Sequence, residues 1–164
     1  INISQIILRF SKALLSSFGE PLQCRLFIFF YTLTITVNIT NENTQVQILK
    51  PGMTGDKVIA SAHSRYLLEK GWKGSRKSIP AAYLTGYLAG KKALSQGAKD
   101  AILYTGTRRY TQRVAAALKG VVDSGLQVPS DSETFPPDER INGEHLTVKN
   151  EVSKMKSTID GDIK

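Results

Sequence analysis

From Thr32 the chain alternates apolar and polar positions. TLTITVNITNENTQVQILKP (32–51) keeps a period of two on both sides of Asn41 and Glu42, which predicts two antiparallel strands joined by a polar turn. Gly52 and Gly55 bracket the next turn. KVIASA (57–62) then reads as a third short strand running into a short helix, HSRYLLEKG, that Gly71 stops. GWKGSRKSIP is a basic loop; Ser78 caps a helix with Pro80 in its first turn that reaches about Gln96 and is closed by Gly97. AILYT (101–105) follows as a buried strand. Val114, Ala117, Leu118, Val121 and Val122 then share one helical face, and Gly125 ends that helix. Strands followed by helix, strand and helix indicate an α/β layer fold. The expected organisation is one compact domain: an α/β core over 34–130, an irregular apolar extension over 1–33, and an irregular acidic and polar extension over 131–164.

Small residues in the first long helix need a reason. Gly86 and Gly90 lie four apart with Ala82 and Ala89 nearby, and small side chains let a helix backbone approach its neighbour closely. Lys91 and Lys92 on the same helix argue for packing of helix on sheet and against a membrane dimer face. GYLAGKK is no phosphate loop, because only three residues separate its glycines and Lys92 stands where Ser or Thr is required. The apolar run that begins at Leu26 is shorter than the roughly 20 residues of a membrane helix, so no membrane partner is expected. Arg9 and Lys12 precede it, but Glu20, Pro21 and Arg25 interrupt a signal-peptide pattern.

Charge changes the picture. Residues 57–119 carry 13 Lys and Arg against 2 Asp and Glu, a surplus of +11, whereas 1–56 amount to +1 and 120–164 to −4. Such concentration favours a polyanion through attraction and counterion release, with a merely solvated surface as the alternative. The single Cys24 forms no intrachain disulfide and fits a reducing compartment. His63 and His145 have no cysteine or second histidine at ligand spacing, so no zinc site is expected. Asp138, Glu139 and Glu144 are the one acidic cluster able to hold magnesium for a metal-dependent RNA-processing enzyme, but they sit in a Pro- and Gly-punctuated stretch where charges normally face water. No catalytic residue, cofactor or small-molecule substrate is expected.

Arg108, Arg109 and Arg113 cluster where the second long helix begins. A helix start offers unpaired N–H groups and partial positive charge, so a phosphate can sit there beneath guanidinium forks, with Thr105, Gly106 and Thr107 bringing the backbone close. Tyr110 supplies a ring able to stack on an unpaired base. Trp72, among Lys70, Lys73, Arg76 and Lys77, reads equally as a stacking ring or as a core tryptophan. Basic residues interleaved with aromatics on two loops point to RNA.

Four blocks carry a likeness. ASAHSRYLLEKGWKG (60–74), PAAYLTGYLAGKKAL (80–94), RVAAALKGVVDSGLQVP (113–129) and FPPDERINGEHL (135–146) resemble, in order and without large gaps over about 34–147, the archaeal-type large-subunit ribosomal protein L-eighteen family. That resemblance implies a mixed β-sheet packed with helices, no catalysis, and a structural role in the cytoplasmic large ribosomal subunit. It further implies binding of 5S rRNA and its attachment beside 23S rRNA and neighbouring ribosomal proteins in the central protuberance. His63, Arg65, Trp72 and Lys73 fall on matched positions, and Arg113 aligns with a family arginine. With Arg76, Lys77, Thr107, Arg108, Arg109, Tyr110 and Lys119 they form the set of expected RNA contacts. The loop before Arg113 is shorter than the family's. Residues 1–33 are apolar with three basic residues where the family is highly basic, Asn38 replaces an expected arginine, and SKMKSTIDGDIK reads as a short, loose tail.

Overall fold

A computed structural model describes residues 32–52, 54–107, 109–144 and 151–162. The expectations placed on the apolar front segment with Cys24, on Arg108 and on His145 fall outside these residues. The described chain from Thr32 onward forms one compact unit.

The hairpin forms as its alternation predicts. Strand β1 (Leu33–Ile39) pairs antiparallel with β2 (Thr44–Lys50), from Thr34 opposite Leu49 to Ile39 opposite Thr44. Its turn is closed by the Thr40 N–H donating to the Asn43 carbonyl at 2.9 Å and by the Thr40 hydroxyl accepting from the Asn43 N–H at 3.0 Å. β3 (Lys57–His63) pairs antiparallel with β2 through an irregularity at Ile48 and Leu49, and β4 (Ala101–Leu103) pairs parallel with β1. The result is a mixed sheet of order β3-β2-β1-β4. Register aligns Ile35 with Ile48 and Ala60, and Val37 with Val46 and Ala62, so alternation on three strands becomes one apolar face.

Helix α1 (Arg65–Glu69) follows β3 directly, and α2 (Ile79–Ser95) covers the apolar face. Ser78 caps α2 by accepting the Ala81 N–H, with Pro80 in the first turn. Every residue from Pro80 to Gly90 is buried, which requires neighbours on all sides. They are the sheet, α3 (Gln112–Asp123), the short α4 (Asp138–Asn142) and α5 (Glu151–Asp162).

The expectation that Gly86 and Gly90 pack on the sheet is corrected: both face α3. A Cβ at Gly86 would lie 2.0 Å from the Ala117 carbonyl oxygen, one at Gly90 2.0 Å from Ser124 Oγ, and one at Gly120 2.1 Å from the Tyr83 carbonyl oxygen. Backbone meets backbone here, a closer approach than a sheet's side chains permit. Ile79 and Gln112 at the two helix starts line one cleft, and Gly90 meets Ser124 towards their ends, so α2 and α3 run parallel and begin at the same end of the molecule.

The supposed loose tail is also corrected, because α5 buries Val152, Met155 and Ile159. It is clamped by polar contacts. Tyr87 donates to Asp160 at 2.8 Å and Tyr66 to Asp162 at 2.7 Å, while Lys91 and Lys70 pair with the same carboxylates at 3.1 and 2.8 Å. Lys156 lies 4.7 Å from the Tyr83 ring centroid and 5.6 Å from that of Tyr87. Among the described residues no helix is long and apolar enough to cross a membrane.

Candidate nucleic-acid interface

One end of the sheet gathers the carboxyl ends of β1, β3 and β4 with the starts of α2 and α3. This follows from the register, with Ile39 opposite Thr44 and His63 beside Gln45, and from the parallel run of β1 and β4. In α/β sheets that end is where loops and helix N-termini converge on a ligand. A cleft of about 620 Å³ opens there. Val37, Ile39 and Ile79 supply its apolar lining, and Thr105, Arg109, Thr111, Gln112 and Arg113 its polar lining.

The sequence explains this arrangement. β4 ends after Leu103, and Gly106, at φ 59°, turns the chain towards α3. Thr111 occupies the N-cap position in an extended conformation, but its side chain makes no capping hydrogen bond. The first-turn N–H groups of α3 therefore lack a side-chain cap, while Arg109 and Arg113 stand exposed on the rim. Thr107 is exposed, and Tyr110 is 44% exposed, so its ring is free to meet a base.

The second basic loop reaches the same end. Thr44 Oγ1 donates to the Arg76 carbonyl at 3.5 Å, and the Arg76 guanidinium meets Glu42 at 3.5 Å, tying the loop before α2 to the β1–β2 turn. Lys73 and Lys77 are exposed. His63 ends β3, where its Nδ1 accepts the Arg65 N–H at 3.1 Å, beside the exposed Arg65.

Two expected contacts sit elsewhere. Trp72 is 3% exposed, packed in the core with its ring beneath Gly74, so in this conformation no base can stack on its face. Lys119 is half-buried on α3 and pairs with Asp138 of α4, away from the cleft lining. That pairing also occupies one acid of the Asp138, Glu139 and Glu144 trio, and among the described residues no three His, Cys, Asp or Glu side chains gather as a metal site. Arg140 was not anticipated. Its Nη1 donates to Gln112 Oε1 at 2.8 Å, adding a guanidinium beside the start of α3 from within an acidic stretch, and nothing in local sequence signals that pairing.

Comparison with known proteins now bears on this geometry. Residues 31–111 match the model of a family described as "Ribosomal large subunit proteins 60S L5, and 50S L18". Large ribosomal subunit protein uL18 of Aeropyrum pernix is 48% identical over 115 residues, covering 68% of this chain and 54% of the relative. The protein of the same name from Methanothermobacter thermautotrophicus is 46% identical over 114 residues, 68% of this chain and 59% of the relative. That from Methanococcoides burtonii is 42% identical over 128 residues, 77% of this chain and 74% of the relative. The chain belongs to the uL18 family. It spans little more than half the length of the first two uL18 relatives. The uL18 family match includes both basic loops and stops at Thr111, so the rim residues Gln112 and Arg113 lie just beyond it.

Proposed function

We propose that this chain is a structural, non-catalytic component of the cytoplasmic large ribosomal subunit that binds 5S rRNA. Its role is to help attach that RNA to 23S rRNA, among neighbouring ribosomal proteins of the central protuberance. One observation carries the proposal: two basic loops distant in sequence, and the starts of two parallel helices, meet at one end of the sheet around a cleft rimmed by Arg109 and Arg113. Guanidinium groups and helix N–H groups neutralise phosphates, and the exposed Tyr110 offers a stacking surface. Recognition of this kind reads backbone shape rather than base sequence. Membership of the uL18 family, whose relatives are named as large ribosomal subunit proteins, supports a ribosomal RNA partner. The test is a mobility-shift titration against 5S rRNA with an equal-length unrelated structured RNA as competitor near physiological salt. Retention of 5S rRNA against the competitor is the expected result; equal competition would reduce the cleft to a non-specific basic surface.

A further inference from the structure

Trp72 presents a discrepancy between its place and its chemistry. Its ring belongs to the core, yet its indole Nε1 is buried and has no hydrogen-bond partner. Buried indole N–H groups ordinarily find an acceptor, and an unpaired one works against the covered state. The cover is thin. A Cβ at Gly74 would lie 2.9 Å from Cζ2, 3.0 Å from Cε2 and 3.1 Å from Nε1, so the backbone of Gly74 lies directly over the nitrogen-bearing edge of the ring. Both flanks of this cover are anchored. The Trp72 N–H donates to the Leu67 carbonyl at 2.9 Å, and the Ser75 carbonyl accepts from Ser78 Oγ at 2.7 Å. Lys73 and Gly74 lie between these anchors. Outside them stand the exposed Lys73 and Lys77, on the basic loop assigned above to RNA.

We propose that Trp72 binds RNA through its indole N–H and not through its ring face. A displacement of the Lys73–Gly74 bridge uncovers Nε1, which donates to a phosphate or ribose oxygen, while the ring keeps its place in the core. The inference rests on the proposed RNA-binding function and adds a donor that the free protein holds in reserve. It also accounts for glycine at 74: any side chain there would press on the indole edge it must clear.

Trp72 is the sole tryptophan of the chain, so its emission reports on this site alone. The full chain is titrated with end-labelled 5S rRNA, following RNA anisotropy and tryptophan emission together, for the native sequence and for Trp72→Phe, which keeps an aromatic ring and deletes the donor. The expected result is an emission change that tracks binding. The variant should bind about tenfold more weakly, as for one lost hydrogen bond to a charged acceptor, with an unchanged salt slope and an undiminished melting temperature. Tight, selective 5S rRNA binding with constant native emission, or with full affinity in the variant, overturns the inference and leaves the proposed function standing. Loss of selectivity in the native chain overturns both. Should the variant unfold, the native emission titration decides alone.

Discussion

At Gly120 one hydrogen in place of a methyl group lets two helices touch. Because a Cβ there would collide with the Tyr83 carbonyl, which belongs to a helix buried on every side and cannot retreat, Gly120→Ala should cost about 3 kcal/mol or more, measured by denaturant unfolding. Under the proposed function the arginines serve as phosphate ligands. Replacing Arg108, Arg109 and Arg113 together by Gln should lower the slope of log affinity against log salt by roughly 2 to 3, at about 0.7 to 0.9 per lost phosphate contact. An unchanged slope in a folded variant would remove these side chains from the interface. Single positions differed in how much the sequence disclosed. Ser78 before Ile-Pro announces a cap because the chemistry is local, and Ser78 does accept the Ala81 N–H. Trp72 among lysines does not announce its burial, since that depends on the meeting of α1, α2 and the sheet in space.

Among the described elements, α5 is held by two carboxylates that each meet a lysine and a tyrosine. Asp160 is held below the ordinary carboxylate value of 3.8 first by the Tyr87 hydrogen bond and then by Lys91; Asp162 is lowered first by Lys70 and then by Tyr66. Carboxyls lowered in the folded state contribute stability above their unfolded value and lose it as pH falls through the folded one. The protection factors of α5 amides, with intrinsic exchange divided out, should therefore fall as pH drops through about 4 and below, ahead of those of the β1–β2 amides. Simultaneous loss of protection in both would show that these carboxylates do not govern the docking. Ile159→Ala, at a fully buried position, should produce the same local release at neutral pH, with a cost of about 2 to 5 kcal/mol. The spacing of Val152, Met155 and Ile159 was the signal for this helix, obscured by the lysines and acids between them. The hairpin was legible because its alternation and turn lie within one short segment. The glycine stripe was legible as close packing, but its partner was not, since sequence spacing cannot say whether sheet or helix faces it.

Over the whole molecule, folding turns a charge gradient along the chain into a division of surfaces. The basic segment supplies the loops at the cleft, while the acidic segment after Gly125 sends Asp138 to Lys119 and Arg140 to Gln112. Position in sequence alone made Lys119 equivalent to Arg109 and Arg113; the fold separates them. Lys119→Gln should leave the salt slope of RNA binding nearly unchanged, whereas Arg113→Gln should reduce it by about 0.7 to 0.9. A comparable drop for both would mean that the Asp138 pairing opens when RNA arrives.

The burial of α2 on every side has a temporal consequence. α5 leaves the site of synthesis well after α2 and α3, so a growing chain carries the face of α2 around Tyr83 and Tyr87 uncovered until α5 follows. Chains stopped at Gly143 should bind an apolar dye that the full chain excludes, and should be the species that aggregate and require protection during assembly.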